Sequence, residues 1–345
     1  MTTASPSSNG TTAARTRLTD SHGRTIHDLR VSITDRCNYK CVYCRTGEFG
    51  AQYPELGIDE YLRLIRIFVG LGIEKVRLTG GEPLLRRGLL DLLRELARMR
   101  TLGGEPLDLA ITTNGHLLED MAAPLKDAGL RRVTVSMDAV DAGTFERITR
   151  VPGSFQHVLS GIRAARDAGL APVKVNCVLL RGFNDGEIEG FARFAREEDV
   201  VVRFIEFMPL EEDRLWTPEI VVPLAEIVER IHRVMPLVPL PPREPSETAK
   251  RYGFADGAGE IGIIAPVTQA FCGACSRVRL TSDGKIRTCL FSQVDHDLYG
   301  RMRAGASDAE LTTYVAHIVQ GKEARHHIGE PGFLKPSRSM VHIGG

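Results

Sequence analysis

The chain has 345 residues, with 44 Lys plus Arg balanced by 44 Asp plus Glu and 43% hydrophobic residues. That length allows one large barrel or two ordinary domains with a sizeable core. Zero formal net charge excludes a globally basic or acidic binding protein, and no stretch reaches the roughly 18 apolar residues that a membrane span needs.

Residues 1–23 open with MTTASPSSNGTTAARTRLTD, rich in Ser, Thr and Ala without an apolar run, which predicts a disordered tail rather than a signal peptide. Asn9-Gly10-Thr11 matches a glycosylation sequon, which carries no weight without an export signal. Seven cysteines, an odd number, in a chain without that signal point to a reducing cytoplasm and to metal work rather than disulfides.

From about residue 29, short strands alternate with amphipathic helices. Strands are predicted near 29–34, 75–79, 108–114, 131–138, 172–179 and 201–208. Ile58, Tyr61, Leu62, Ile65, Phe68 and Val69 recur at helical spacing. A later helix has Ser154 as predicted N-cap, Phe155, Val158, Leu159 and Ile162 as its stripe, and Gly169 as its stop. Six such units with right-handed crossovers make a parallel sheet, open or curled into a partial barrel. The alternation favours the curled form. Leu29, Val31 and Ile33 alternate with Arg30, Ser32 and Thr34, and four further strands repeat the pattern. A sheet covered on both faces is apolar almost throughout, so the polar face must look into a lumen. That lumen would hold Arg30, Lys75, Arg77 and Lys174, a set suited to a hydrophilic anion. In strand six, Arg203 and Glu206 differ in parity, which leaves its faces unassigned.

Six cysteines form two triplets, Cys37-x₃-Cys41-x₂-Cys44 after strand one and Cys272-x₂-Cys275-x₁₃-Cys289 near the other end. Structural zinc and ordinary iron–sulfur clusters take four protein ligands, so each triplet suggests a cluster with one open iron. At the second triplet a zinc knuckle with His296 or another residue as fourth ligand stays open, although Arg277 and Arg279 beside it suit an anionic ligand. Ser282-Asp283-Gly284-Lys285 reads as a hairpin turn. Cys177 shares the apolar parity of Val175 and is a core cysteine. Gly257–Gly262 spells GxGxxG without a surrounding βαβ unit, His326-His327 reads as a solvated loop, and Pro236 to Pro245 as a connector.

The triplet CxxxCxxC with Tyr43 before its last cysteine, followed by Gly80-Gly81-Glu82-Pro83 after the next strand, resembles the radical SAM (S-adenosylmethionine) superfamily. FCGACSRVRLTSDGKIRTCLF, with LRVSITDRCNYKCVYC, VRLTGGEP, TTNG, VKVNCVL, RFIEFM and the final GG, is similar to the GTP 3′,8-cyclase family from about residue 24 to residue 345. The tail is longer than usual there, and Ser276 stands where asparagine is common.

The resemblance implies an α/β fold: a partial (β/α)₆ TIM-like barrel over residues 24–235, closed by a smaller C-terminal region, 236–345, carrying a second Fe–S cluster. It implies two [4Fe–4S] clusters, on Cys37, Cys41 and Cys44 and on Cys272, Cys275 and Cys289. It places S-adenosyl-L-methionine against Tyr43, Gly81, Ser136 and Met208, with Gly80 and Gly81 admitting the methionyl group. It places GTP against Arg30, Arg77, Thr112, Lys174, Arg277 and Arg279, with Lys75 and Arg203 as additional candidates. No side chain is expected to be catalytic, the chemistry being that of a SAM-derived radical that converts GTP to its 3′,8-cyclised dihydro form at the start of molybdenum cofactor biosynthesis. The implied partners are GTP, an electron donor and a downstream cyclic pyranopterin monophosphate synthase, with a homodimer allowed and no nucleic acid or membrane. Gly344-Gly345, with Arg338 before it, suggests a flexible tail entering the chamber. Two rival readings remain at this point: a radical SAM peptide-modifying enzyme with an auxiliary cluster, and a non-catalytic module with two zinc sites.

Overall fold

The computed structural model describes residues 17–44, 51–211 and 215–344. Six βα units follow one another: β1 (Asp28–Ser32), α1 (Ile58–Gly70), β2 (Lys75–Thr79), α2 (Leu89–Arg98), β3 (Asp108–Thr113), α3 (Leu118–Asp127), β4 (Arg132–Ser136), α4 (Ala142–Thr149) with α5 (Ser154–Asp167), β5 (Lys174–Leu179), α6 (Ile188–Glu197), β6 (Val201–Glu206) and α7 (Leu224–Val234). The strands pair in parallel in sequence order, giving the partial (β/α)₆ barrel expected. Leu29, Val31, Val76, Leu78, Ile111, Val135 and Val175 are fully buried in one core with Tyr61, Ile65, Phe68, Leu93 and Ile162. This is the apolar row of each strand meeting the helical stripes, and it sends the alternate row inward.

The later elements are β7 (Leu237–Leu240), β8 (Lys250–Phe254), β9 (Glu260–Ile264), β10 (Arg277–Leu280), β11 (Lys285–Arg287), β12 (His296–Asp297), α8 (Leu298–Arg303), α9 (Asp308–Gln320) and α10 (Met340–Ile343). They extend the same sheet at both edges, in the order β12-β11-β10-β1-β2-β3-β4-β5-β6-β9-β8-β7. β10 lies parallel to β1, with Arg30 opposite Arg279, and β9 lies parallel to β6. This pairing brings residues some 250 positions apart into one surface.

Several local expectations change. Ser154 is the first residue of α5, and Gly153 caps the helix at φ +72, a conformation that suits glycine. The proline-rich run contains the edge strand β7, where Pro239 is tolerated because an edge needs no donor on its outer side. Gly257–Gly262 falls at the β8–β9 hairpin, not at a phosphate-binding turn. Residues 17–23 are packed rather than tail-like: Leu18 is buried and Asp20 pairs with the buried Arg24 at 2.6 Å. The rest of the predicted tail, residues 1–16, lies outside the described residues. Among the described residues no helix is long and apolar enough to cross a membrane.

Candidate active site

The first cysteine loop leaves β1 and is fastened from two sides. Lys40 N–H donates to the Thr149 carbonyl at 3.2 Å and Val42 N–H to that of Ile148 at 3.0 Å, docking the loop on the end of α4. On the other side Gly81 N–H reaches the Thr34 carbonyl at 2.8 Å and Glu82 N–H that of Arg36 at 2.7 Å. A Cβ at Gly80 would lie 2.2 Å from the Thr34 carbonyl oxygen, and one at Gly81 2.2 Å from that of Arg36. The two glycines therefore admit an approach of the chain to itself, and both also line the cavity where SAM is expected. Glu82 is buried and accepts from Leu84 N–H, Thr113 Oγ1 and Asn114 N–H at 2.9, 2.7 and 2.6 Å, and burial pushes its carboxyl up to about 7. Asn114 Nδ2 continues to Asn38 Oδ1 at 2.7 Å, inside the cysteine loop.

Tyr43 donates to Asp138 Oδ2 at 2.6 Å, and Asp138 Oδ1 accepts from Val178 N–H at 2.8 Å. Burial raises Asp138 to about 6, against the pull of those two donors. Asp138 thus orients the Tyr43 ring beside Phe207, 6.3 Å away between centroids.

Below the loops, the lumen concentrates cations. Arg77 Nη1 donates to Thr112 Oγ1 at 3.3 Å and Thr134 Oγ1 at 3.2 Å, and Arg203 Nε to Asn176 Oδ1 at 2.9 Å. Arg203, Ile205 and Phe207 face the cavity, while Glu206 points outward and accepts from Leu224, Val267 and Thr268, so the faces of β6 are resolved. Burial lowers Arg30 to about 10, with Arg277 and Arg77 adding to the effect and Asp28 opposing it. Arg203 falls to about 9 through burial and then Arg77 and Arg30; Lys174 falls to about 7 through burial and then Arg203, Arg132 and Arg77. Arg30 Nε is buried and finds no hydrogen-bond partner among the described residues. These groups crowd like charge into low dielectric, which an anion would relieve.

At the far wall, Arg277 Nη2 lies 3.3 Å from Cys275 Sγ. Burial works against the Cys275 thiolate, but Arg277 and Lys322 outweigh it and bring the thiol down to about 7; burial pushes Cys289 up. The hairpin turn appears as expected, with Thr281 N–H donating to the Lys285 carbonyl at 2.9 Å. Arg279 Nη1 donates to the carbonyls of Ile343 and Gly344, and a Cβ on Gly344 would meet Thr79 Cγ2 at 2.5 Å. The chain end therefore reaches the chamber as expected; Gly345 lies outside the described residues. Arg338 stays behind, held by Asp283 with two bonds of 2.8 Å.

The GTP 3′,8-cyclase of Acidothermus cellulolyticus is 46% identical over 320 residues, covering 90% of this chain and 87% of its own length. That of Moorella thermoacetica is 44% identical, covering 95% of this chain and all of its own, and that of Streptomyces coelicolor 43%, covering 95% and 96%. The chain belongs to the GTP 3′,8-cyclase family.

Residues 31–195 match the radical SAM superfamily and residues 200–328 match Molybdenum Cofactor Synthesis C. The structure of Streptococcus suis SuiB resembles the fold with a TM-score of 0.59 at 13% identity, covering 92% of this chain and 78% of that one. Radical SAM membership implies a [4Fe–4S] cluster and SAM, for which the first triplet supplies three thiols. In this cyclase-family chain one cavity is lined by all four expected SAM residues, Tyr43, Gly81, Ser136 and Met208, and by Cys37 and Cys41. The same cavity is lined by Arg30, Arg77, Thr112, Arg203, Arg277 and Arg279. Cys44 and the second triplet are not among its lining residues, although Phe271 and Leu290, next to Cys272 and Cys289, are.

Lys75 and Lys174 are likewise not among the lining residues. Lys75 lies 3.9 Å from Asp28 and 4.0 Å from Glu244, which oppose part of its charge. Lys174, opposite Thr134, stands at the start of β5, below the cavity. His296, the candidate fourth zinc ligand, sits in β12 within the fields of Glu323, Asp295 and His317. Among the described residues no three His, Cys, Asp or Glu groups converge enough to hold one ion. His326 is half-buried against Phe291, 5.2 Å between ring centroids, rather than solvated. Sequence reasoning missed the role of Asp138, whose partner Tyr43 is 95 positions away, and of Asp28, a buried acid beneath the cations. For Asp138 the lumen parity of β4 was an available signal, and for Asp28, two positions before Arg30 and so on the same face of β1, strand parity was one too.

Proposed function

We propose that the protein is a GTP 3′,8-cyclase, which converts GTP to (8S)-3′,8-cyclo-7,8-dihydroguanosine 5′-triphosphate at the start of molybdenum cofactor biosynthesis. The observation that carries this reading is one cavity uniting the first cysteine loop with Arg30 and Arg77 from one end of the chain and Arg277 and Arg279 from the other. Family membership supplies the reaction; the cations account for the substrate's charge.

The first triplet fits a [4Fe–4S] cluster by its three thiols and by a loop fixed on both sides. The second fits another, since Arg277 and Lys322 favour the thiolate that a metal requires at Cys275. When bound, the first cluster and SAM supply one-electron, hydrogen-abstracting chemistry. The chain's own part is binding and exclusion. Arg30, Arg277 and Arg279 hold the triphosphate, Arg30 Nε gaining a partner. Arg77 and Thr112 orient the nucleotide from the β2 and β3 side, and Lys174 and Arg203 add charge from below. Asp138 holds Tyr43 against SAM, while Ile205, Phe207, Met208 and Leu290 keep the chamber apolar above the cations. Such enclosure protects a reactive species from water and side reactions.

The reading also places the protein in the cytoplasm, beside an electron donor and a synthase that converts the product to cyclic pyranopterin monophosphate. Anaerobic incubation with GTP, SAM and dithionite, followed by mass analysis, tests it. A product isomeric with GTP, of unchanged mass but separable from it by chromatography, is expected together with 5′-deoxyadenosine, because the hydrogen lost from C3′ leaves in 5′-deoxyadenosine and one electron and one proton replace it at the guanine. 5′-deoxyadenosine formed only with an added peptide would support the peptide-modifying reading. Zinc in place of about eight irons per chain would overturn the two-cluster assignment.

A further inference from the structure

Arg24 lies just before β1 and is not among the residues lining the cavity, yet it is buried and spends four donors on fixed partners. Its Nε pairs with Asp20 Oδ2 at 2.6 Å. Nη1 donates to the carbonyl of Cys272 at 2.9 Å and to that of Ala324 at 2.8 Å, and Nη2 to that of Glu323 at 2.6 Å. Asp20 is itself held by the backbone N–H groups of His22 and Arg24, at 2.9 and 3.0 Å.

The segment Arg24 grips also grips the other end of the second triplet. Lys322 Nζ donates to the Thr288 carbonyl, and Thr288 Oγ1 donates to Glu323 Oε2 at 2.7 Å. Thr288 directly precedes Cys289. The antiparallel β10–β11 pairing, Arg279 opposite Arg287, brings the two ends of the hairpin together, but Cys272 lies five positions before β10 and Cys289 two after β11, so the ladder alone does not fix their separation. The planar guanidinium can, because its N–H groups have a fixed mutual geometry and here reach two chain segments at once.

We infer that Arg24 is a positioning residue for the second triplet, setting Cys272 against Cys289 through the 322–324 segment so that the thiols face one cluster. The inference rests on the reading of that triplet as a cluster site. The bonds lie in the shell around a ligand residue, where loss of a partner usually costs metal affinity about 10- to 100-fold. Arg24→Lys keeps the cation beside Asp20 but offers no planar fork, so three carbonyls on two segments cannot all be served.

The test uses anaerobically reconstituted protein in which Cys37, Cys41 and Cys44 are all replaced by alanine, so that the remaining iron reports on the second triplet. Loss of iron to a ferrous chelator is timed with Arg24 intact, with Arg24→Lys and with Lys322→Gln. Both substitutions are expected to speed the loss about 10-fold or more and to alter the electron paramagnetic resonance line shape of the reduced cluster. Unchanged rates and spectra in both would overturn the inference. So would an equal acceleration at the first cluster when the same substitutions are made in protein with all its cysteines, because that is general loosening. If the protein with Arg24 intact takes up no iron, the cluster reading itself fails and the inference goes with it; iron that is present but indifferent to Arg24 overturns the inference alone.

Discussion

The two cysteine triplets are built beside one chamber by opposite routes, Cys37 and Cys41 lining it directly and the second triplet only through its neighbours Phe271 and Leu290. The first occupies eight consecutive positions of one loop, and its fasteners are barrel neighbours: the Ile148 and Thr149 carbonyls and the glycine turn after β2. The second spans a turn, two strands and the hairpin between them, and its fasteners lie at Arg24 and residues 322–324. A metal site that fits within one loop needs only that loop to be docked. A site spread over a hairpin depends on segments hundreds of positions away finding each other, so its integrity is a property of the whole fold.

The comparison breaks most visibly at a ligand. Cys41→Ala should abolish 5′-deoxyadenosine formation entirely while iron at the second triplet persists, because neither triplet supplies the other's ligands. Metal analysis showing both sites empty would mean that they assemble as one unit. A smaller break comes from Gly81→Ala. The new Cβ must displace the Arg36 carbonyl, which lies 2.2 Å from its ideal position, so a stability loss of about 1–3 kcal/mol is expected from overpacking. Thermal unfolding should register it, with iron loss confined to the first site; equal losses at both would erase the contrast between them.

Substrate binding sharpens the comparison, since Arg30 belongs to the first region, Arg279 to the second, and the two are register partners. Either alanine substitution should weaken GTP binding by about 1.5–3 kcal/mol, with guanosine much less affected. Calorimetry on the double variant should show a non-additive loss, as expected for groups sharing one anion. Equal losses for GTP and guanosine would mean that they support the fold instead.

The smallest effect concerns protons. Folding lowers Lys174 from the ordinary lysine range to about 7 through burial and the Arg203, Arg132 and Arg77 charges. The unfolded chain therefore holds more protons from about pH 7 up to that range, and Lys174 makes stability rise with pH across the window. A bound triphosphate reverses the preference by favouring the charged amine. GTP binding near pH 8 should take up a fraction of a proton, measured by titration calorimetry in buffers of different ionisation heat, and Lys174→Met should remove the uptake. Unaltered uptake in that variant would assign the proton to another group.

The repeating βα order and the first triplet were legible because their signals are local. A period of two in Leu29, Val31 and Ile33, and of 3.6 in α1, is written in neighbouring residues. The same parity put Arg30 and Arg77 in the lumen, where they stand. It placed Lys75 and Lys174 there too; neither lines the cavity, and Lys75 lies 3.9 Å from Asp28 and 4.0 Å from Glu244. Parity reports a face, not the height along a strand or what comes to meet it. The glycines after β2 were legible as a close approach, but that Thr34 and Arg36 also make one depended on how the loops cross.

The sequence by itself determined the strand and helix rhythm, the two sets of thiols and the stock of lumen cations, because each follows from residue type and short-range spacing. Only the tertiary structure decided that β10 would lie beside β1 and set Arg279 against Arg30, which row of β6 would face inward, and that Asp138 would hold Tyr43. The reason is that strand register is shared between partners. A slip of one residue turns every side chain to the other face, and the contacts that forbid the slip are spread across the whole sheet rather than stored in either strand.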